Sequence, residues 1–552
     1  MNRTSIASLS VAVLLLVTFV TAAHAAPDNS VTLVEDGKPS ATLVLPAEHG
    51  HLDLAAQELN DHIEKVTGAR LPVATEGDEV EGPVVLLGES ARTRAMGIDE
   101  SKLPAEGFVI RTAPGALAIV GDTETTLEGG HRQRTMGALW GVYRFLEDRL
   151  GIRWFIPGPM GTVIPKADTI VVTGYNVDDA PAFPIRHFNV VTDRWDKRLA
   201  ESFEFPDDNN PSHQIQPRDE WGAKAWHRHA LRQRAFNAWG GVFPNHSTQY
   251  WAPRYHETHP EYFARRRNGE PYLLPPGVRR KSGGRWSGYL DYSKPEVVRQ
   301  AIEDTVAWYE KTDRELIEMW RRGHPERCPN DFYIPHTPAD GMPVSHTPEA
   351  RALVEAGAPD DPWGRASEYL AAFRVPFCKA MLERYPDKKV VGCAYASYAL
   401  PPKTVERFPE NFHAMLAVMP GMGMLKEKAL FDEWLGHARR WHELTNGNRL
   451  HYWQYTCWPD IKCPTFWPDA WQRWYTTLKD ESLGAFINGP TKYPGVIGIE
   501  HLNHYLAWRM LWNPEVDLDA LVRDYADKMY GPAADDIYAL QTLIRQRWNS
   551  VQ

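Results

Sequence analysis

Two carboxylates follow apolar runs of the kind that form buried strands. The stretch "DFYIPHTPADG" places Asp340 after such a run and before Gly341, where a backbone can approach a ligand closely. Glu500 begins a helical pattern after the run "GAFINGP". As chemical groups, both suit general acid–base catalysis, such as protonation of a leaving oxygen during glycoside hydrolysis. Each also has a structural alternative, because Asp340 fits an Asp-Gly turn and Glu500 fits the N-terminus of a helix.

Aromatic and polar side chains stand at the ends of similar runs. Tyr395 ends "KVVGCAY", and Trp453 and Tyr455 end "RLHYWQY". The other candidate ligand contacts that follow strand-like runs are His246, Trp251, Asp291, His336 and Asn488. Aromatic faces stack on sugar rings, while hydroxyl, amide and carboxyl groups pair with sugar hydroxyls, so the set predicts a carbohydrate site. Asp291 equally suits a turn that makes only internal hydrogen bonds.

The sequence contains little that indicates a metal site, a nucleotide site or a nucleic-acid interface. "YHETHPEYF" spaces His256 and His259 three apart, without an HExxH motif or an evident third ligand, so we predict no metal. The sequence has no GxGxxG after a strand, no Walker loop and no GxSxG, and we expect no cofactor. A net charge of −10 disfavours a nucleic-acid partner, which would favour a basic face.

The region from residue 186 to residue 552 contains the elements that would bring these side chains together. Eight short apolar or aromatic runs begin at Arg186, Ala235, Ser287, Asp331, Lys389, Phe412, Arg449 and Gly484. Most intervals between them carry a helical pattern, as in Val297–Trp320 and Ala366–Arg384. Eight strands alternating with helices over roughly 300 residues predict an α/β fold with one closed (β/α)8 TIM-like barrel. Chemistry in such a barrel lies at the carboxyl ends of the strands.

Residues 27–175 predict a smaller α/β accessory domain that packs outside the barrel. Apolar residues from Leu52 to Val66 recur at helical spacing, and Pro114-Gly115 separates two apolar runs as in a hairpin. The stretch "GALWGVYRFLEDRLGIRWFIPG" predicts a helix followed by a strand. Its many aromatic rings suit either a sugar-stacking platform or a large core. Residues 176–185, "NVDDAPAFPI", have the composition of a linker.

The first 25 residues are typical of a signal peptide. A basic residue precedes the apolar run "VAVLLLVTFV", and "AHA" fits a small-x-small cleavage site. We therefore expect a periplasmic or secreted protein without a membrane anchor. Of five cysteines, Cys457 and Cys463 are near enough in sequence to pair in an oxidising compartment. The oligomeric state stays open.

Longer stretches resemble known families. "AAQELNDHIEKVTGARLPV" and "GALWGVYRFLEDRLGIRWFIPG" resemble the N-terminal domain of family 67 α-glucuronidases, which also precedes several hexosaminidase-type barrels. "HPEYFARRRNGEP", "PADG", "YWQYTCW" and "LWNPEVDLDALVRDYADKMYGPAA" resemble the bacterial domain-of-unknown-function 4838 family. Some members of that family are classed as glycoside hydrolase family 163, endo-β-N-acetylglucosaminidases.

The resemblance implies roles for only some residues. The family's usual "PNDG" corresponds to "PADG", which retains Asp340 and Gly341 but has Ala339 in place of Asn. Asn245 and His246 stand where the family often has Gly-His. Many members follow "NDG" with a cysteine-rich stretch, whereas "MPVSHTPEA" contains no cysteine. These departures lie near the expected site and bear on the substrate more than on the fold.

Together, these features predict a secreted glycoside hydrolase that acts on a complex glycan or polysaccharide. The resemblance implies an endo-β-N-acetylglucosaminidase-like, retaining mechanism assisted by the substrate's acetamido group. The alternatives are an α-glucuronidase-like exo-uronidase and a non-catalytic glycan-binding protein on a hydrolase barrel. We assign the N-terminal aromatics to core and interface packing, and the sugar platform to Trp453, Tyr455, Tyr395 and Trp251. We expect one of Trp453 and Tyr455 to face the barrel mouth and the other the helices, and an apolar wall or second carboxylate beside Asp340.

Overall fold

The computed structural model describes residues 29–126, 132–189, 228–237, 244–273, 288–321, 327–419, 427–456, 464–488 and 494–550. The predicted signal peptide and the predicted Cys457–Cys463 pair lie outside these ranges. No helix within them is long and apolar enough to cross a membrane.

Short strands and three helices make up residues 30–179. The strands are β1 Ser30–Glu35, β2 Lys38–Pro39, β3 Thr42–Leu45, β4 Val73–Thr75, β5 Val84–Leu87, β6 Phe108–Ala113, β7 Ala116–Gly121, β8 Glu124–Thr126, β9 Arg132–Arg134, β10 Arg153–Trp154, β11 Thr162–Val163, β12 Ile170–Thr173 and β13 Val177–Asp179. The helices are α1 Asp53–Thr67, α2 Ala91–Ala95 and α3 Gly137–Arg149.

A mixed six-stranded sheet with the order β13-β6-β7-β5-β3-β4 organises this region. Strands β4, β3, β5 and β7 are parallel, while β6 and β7 form the predicted hairpin around Gly115, whose φ of +70° suits glycine. Trp140, Tyr143 and Trp154 are at most 1 % exposed and belong to the core beneath this sheet. Phe155 packs on aromatic rings of two C-terminal helices. These aromatics therefore serve core and interface packing.

A second sheet and most of the helices follow. The strands are β14 Ile185–Asn189, β15 Phe236–Asn237, β16 Tyr333–Pro335, β17 Lys389–Ala394, β18 Phe412–Ala417, β19 Leu450–Tyr455 and β20 Ser482–Asn488. The helices are α4 Trp251–Tyr255, α5 Pro295–Glu310, α6 Arg314–Arg321, α7 Pro348–Ala356, α8 Ser367–Arg384, α9 Lys428–Leu444, α10 Pro468–Thr477, α11 Pro494–Trp512, α12 Leu518–Tyr530 and α13 Ala534–Ser550.

The second sheet is a curled parallel half-barrel with the order β15-β14-β20-β19-β18-β17-β16. Six of its strands, β14 and β16 to β20, are parallel and correspond to six of the eight predicted runs. Strands β16 and β19 lie in one sheet, as predicted. The first predicted strand, β14, pairs with the last, β20.

The predicted second and third strands behave differently. In the second run, Phe236 and Asn237 form β15, which pairs antiparallel with β14. In the third run, Gly288 and Leu290 make only isolated antiparallel bridges. Both runs have strand-like composition, but the second adds an antiparallel edge strand to the sheet and the third bridges a segment outside it. A closed barrel of eight parallel strands is therefore not seen in the described residues.

The two faces of the parallel sheet carry different side chains. One face packs under the helices. The opposite face, here called the inner face, is formed by Ile185, Tyr333, Val391, Cys393, Met415, Ala417, Trp453, Leu483 and Phe486. Alternation along each strand assigns neighbouring residues to opposite faces. A shift of one residue along a strand therefore changes whether a side chain points toward the helices or toward the inner face.

Candidate active site

Two loops meet beside the end of β16. His246, which has a φ of +51°, lies with its Nδ1 atom 2.9 Å from the carbonyl oxygen of Pro338. The Ser247 hydroxyl accepts a hydrogen bond of 2.9 Å from the Thr337 amide. These contacts bind the "PNHS" segment to the "HTPADG" segment. The structure therefore places His246 next to the loop that carries Asp340.

Asp340 lies in this loop with an exposed side chain. Tyr395 follows β17, and its hydroxyl donates a hydrogen bond of 3.2 Å to the Oδ1 atom of Asp340. The Tyr289 hydroxyl donates to the Asp340 carbonyl oxygen at 3.1 Å. Among the described residues no carboxylate is hydrogen-bonded to Asp340, and its exposure differs from the apolar wall expected. Tyr289 was missed from the sequence, because the run that contains it was interpreted as a barrel strand.

Burial, followed by the nearby charge of Asp340, raises the pKa of Tyr395 to about 12. The hydroxyl of Tyr395 is therefore protonated at neutral pH and acts as a hydrogen-bond donor to the carboxylate. Its ring centroid lies 6.3 Å from that of Tyr455. A carboxylate and two phenols thus share one end of the parallel sheet.

Trp453 and Tyr455 extend this group along the inner face. Their ring centroids are 5.7 Å apart, and Trp453 packs edge-on against Phe486 at 4.5 Å. Trp453 is 8 % exposed, whereas Tyr455 is half-buried. The expectation that one faces the helices is wrong, because residues two apart on a strand share a face. Both belong to the inner face, and Tyr455 is the more accessible ring.

His336 is turned away from this group. It is the first residue after β16, and its side chain lies on the helix-covered face of the sheet. Its ring stacks on Phe373 of α8, with the two ring centroids 4.3 Å apart. Burial lowers the pKa of His336 well below its usual value, so the ring is neutral. With its ring enclosed between strand and helix, His336 does not reach the surface where a substrate would bind.

Asp291 and Trp251 are also enclosed. Asp291 is fully buried, and its Oδ1 atom accepts hydrogen bonds from the Ser293 hydroxyl at 2.5 Å and the Tyr369 hydroxyl at 3.2 Å. Trp251 is 2 % exposed and packs against Tyr255 at 5.0 Å. Asp291 has the turn role that was its alternative, and Trp251 belongs to a core cluster instead of a sugar platform.

Glu500 lies in α11 and is 1 % exposed. Its carboxylate accepts hydrogen bonds from the Thr465 hydroxyl at 2.8 Å, Trp467 Nε1 at 3.2 Å and Asn503 Nδ2 at 2.6 Å. Burial raises its pKa, while these donors oppose the rise. Glu500 therefore holds the segment after β19 against α11. Asn488, which ends β20, is half-buried, and its carbonyl oxygen accepts a hydrogen bond from the Thr456 amide.

Asp340, Tyr395, Tyr455, Trp453 and His246 are thus the predicted residues that the structure brings into one neighbourhood. In the part of the chain that the structure describes, no group of three His, Cys, Asp or Glu side chains converges as metal ligands. The residues of this neighbourhood that the structure describes supply one carboxylate, several hydroxyl groups and aromatic faces.

Comparison with known families adds to this geometry. Residues 156–540 match the model of "Domain of unknown function (DUF4838)". The chain belongs to this family. Residues 29–145 match the model of the glycosyl hydrolase family 67 N-terminus. None of the proteins with curated descriptions matches the chain significantly.

Several solved glycoside hydrolases are similar at low identity. A family GH115 4-O-methyl-α-glucuronidase specific for decorated arabinogalactans shares 12 % identity, with a TM-score of 0.49 over 94 % of this chain and 62 % of that enzyme. A Streptomyces plicatus β-hexosaminidase shares 14 % identity, with a TM-score of 0.42 over 93 % of both chains. A Clostridium perfringens family 89 glycoside hydrolase shares 11 %, with a TM-score of 0.45 over 90 % of this chain and 53 % of that chain. The chain thus spans less than two thirds of the length of the glucuronidase.

Proposed function

We propose that this protein is a glycoside hydrolase whose site is the end of the parallel sheet around Asp340. The observation that carries the proposal is the hydrogen bond between Tyr395 and Asp340, made at the ends of adjacent parallel strands beside Tyr455 and Trp453. Carboxyl ends of parallel strands are where barrel enzymes place their chemistry. The match to a glycosyl hydrolase N-terminal domain supports the same class.

We also propose that the half-barrel is part of a closed (β/α)8 barrel. The support is the pairing of β14 with β20, since closure requires the first and last strands of a barrel to be neighbours. An experimental structure of the full chain tests this. A final sheet with two free edges would contradict it.

The arrangement around Asp340 favours a mechanism assisted by the substrate. Tyr395 donates to Oδ1 of Asp340, so Oδ2 is the oxygen that would carry a proton to the leaving group. Because one carboxylate lies in this neighbourhood among the described residues, we assign the nucleophile to the sugar: the acetamido oxygen bonds to the anomeric carbon as the glycosidic C–O bond breaks. Water then attacks the same carbon, restores the acetamide and returns its proton to Asp340. The anomeric configuration is retained.

Asp340→Asn tests this role. We expect turnover to fall by a factor on the order of 10² to 10⁴, the usual contribution of general acid–base catalysis, while glycan binding persists. The assay follows release of reducing ends from an N-acetylglucosamine-containing glycan panel, with NMR of the first anomer formed. Asp360→Asn, at an exposed position, is the matched control. Wild-type turnover by Asp340→Asn would make Asp340 a turn residue.

The same panel should include glycans with terminal uronic acids. Release of a uronic acid, with no cleavage of N-acetylglucosamine linkages, would identify an exo-uronidase and contradict the acetamido mechanism. The exposure of Asp340 specifically favours a second candidate, a glycan-binding protein without activity, because a general acid usually has an apolar wall. Binding of a glycan that is never cleaved by the wild-type protein would support that candidate.

We further propose that the protein is exported and that residues 1–25 are removed. The support is the signal-like N-terminal sequence. Expression in a Gram-negative host, followed by fractionation and N-terminal sequencing, tests export. Recovery of the uncleaved chain in the cytoplasm would contradict it.

A further inference from the structure

Arg374 is a cation buried behind the candidate site. It lies on α8, is 2 % exposed, and points between that helix and the parallel sheet. Burying a charge is unfavourable unless it is paired or well hydrogen-bonded. Within the described residues no carboxylate pairs with Arg374. Its hydrogen bonds go instead to two main-chain carbonyl groups.

Those two carbonyls belong to adjacent strand ends. Nη2 of Arg374 donates to the Cys393 carbonyl oxygen at 2.6 Å and to the His336 carbonyl oxygen at 3.4 Å. Cys393 is two residues before Tyr395, and His336 is four residues before Asp340. One guanidinium therefore contacts the backbone of both segments whose side chains form the hydrogen bond of the candidate site.

The sheet leaves room for this guanidinium at Gly392. A Cβ atom at that position would lie 2.7 Å from the His336 carbonyl oxygen and 2.9 Å from Nη2 of Arg374. Real Cβ contacts are essentially never this close, so any larger residue would displace the strand end or the guanidinium. Gly392 is required here for space, since its φ is not in the left-handed region. The rings of Tyr398 and Phe412 pack near the guanidinium at 5.8 and 5.4 Å.

We propose that Arg374 is a positioning residue of the candidate site: by bridging the ends of β16 and β17 over Gly392, it sets the spacing at which the Tyr395 hydroxyl meets Asp340. Lysine retains the positive charge but lacks the planar fork of donors. Arg374→Lys should therefore loosen the alignment of the two strand ends without unfolding the sheet. The effect of Arg374 on the alignment of Tyr395 does not depend on the proposed function; its effect on turnover rests on the proposed function.

The first test needs no substrate. Protein labelled with 3-fluorotyrosine is compared by ¹⁹F NMR, and the Tyr395 resonance is assigned from its loss in Tyr395→Phe. Arg374→Lys should move that resonance, whereas Arg384→Lys, the same change at the exposed end of α8, should leave it in place. An unmoved Tyr395 resonance in folded Arg374→Lys would overturn the proposal, whatever reaction the protein catalyses.

The second test is a double-mutant cycle on turnover. Arg374→Lys should lower kcat/KM by a factor on the order of 10 to 100, as small misplacements of reacting groups do. In the Tyr395→Phe background the same change should have less than about a threefold effect, because the contact being positioned is already lost. Equal effects in both backgrounds would show that Arg374 acts only through general stability. If wild-type protein cleaves no glycan, the proposed function fails, and the NMR result still decides the positioning role.

Discussion

Glu147 is predicted to be one of the strongest links between the two sheets. It lies in α3 and is about 7 % exposed, and its carboxylate meets two arginines from the region of the parallel sheet. Arg234 Nη2 donates to Oε2 at 2.5 Å, and Arg509 Nη1 donates to the same oxygen at 3.1 Å. Glu147→Gln keeps the volume but leaves both guanidinium groups without their charged partner. Removing one member of a buried pair typically destabilises a protein by about 3–5 kcal/mol.

The pH dependence gives an independent magnitude. Although burial alone would raise the pKa of Glu147, Arg234 and Arg509 hold it at about 2, compared with an ordinary value of 4.5. At about 1.4 kcal/mol per unit, this difference corresponds to about 3–4 kcal/mol of stability. Because the folded-state pKa is depressed, that stability is complete above pH 4.5 and is lost as the pH falls through about 2.

The assay is urea unfolding followed by tryptophan fluorescence, between pH 7 and pH 3. The free-energy difference between wild type and Glu147→Gln should be largest at pH 7 and should shrink below about pH 4.5. Glu318→Gln, which breaks an exposed pair with Arg314, should change stability by less than about 1 kcal/mol. A difference for Glu147→Gln below about 1 kcal/mol at pH 7, or one that does not vary with pH, would refute the reasoning.

Three further predictions concern the parallel sheet. Tyr455→Ala should weaken glycan binding by about 1–3 kcal/mol in isothermal titration, whereas Trp251→Phe, deep in a core cluster, should leave affinity unchanged; a larger loss in Trp251→Phe would contradict sugar stacking on Tyr455. Burial lowers the pKa of His413 to about 3, so wild-type stability should fall as pH drops from 6.5 toward 3, and His413→Leu should flatten that slope in pH-dependent unfolding. Gly392→Ala should destabilise by about 1–3 kcal/mol in thermal unfolding, while Gly436→Ala, with open space in a helix, should stabilise; equal effects would contradict the close approach at Gly392.

Local patterns in the sequence were sufficient for most of the secondary structure. Six of eight apolar runs form parallel strands, and the pattern Ala366–Arg384 forms α8 at Ser367–Arg384. Helix α11 ends at Trp512 and α12 begins at Leu518, and Pro514 between them is a residue that interrupts helices. These features depend on the spacing of apolar residues and on residues that interrupt helices, and both can be read directly from the sequence.

The identity of the strands' partners needed the tertiary structure. The run around Leu290 has strand composition, yet it bridges a nearby segment, since pairing depends on which backbone groups lie alongside. Similarly, Asp291 looks like a residue at a strand end but is fully buried in a turn. Composition cannot distinguish a strand of the parallel sheet from a segment paired outside it.

For the candidate site, too, the sequence determined some features and the tertiary structure decided others. The sequence by itself determined that Asp340 and Tyr395 follow strands, because a buried run ends just before each of them. Only the tertiary structure decided that Tyr395 donates to Asp340, that His336 turns toward the helices, and that Arg374 bridges both strand ends. These contacts join residues far apart in the chain, and a shift of one residue in strand parity reverses the face a side chain occupies.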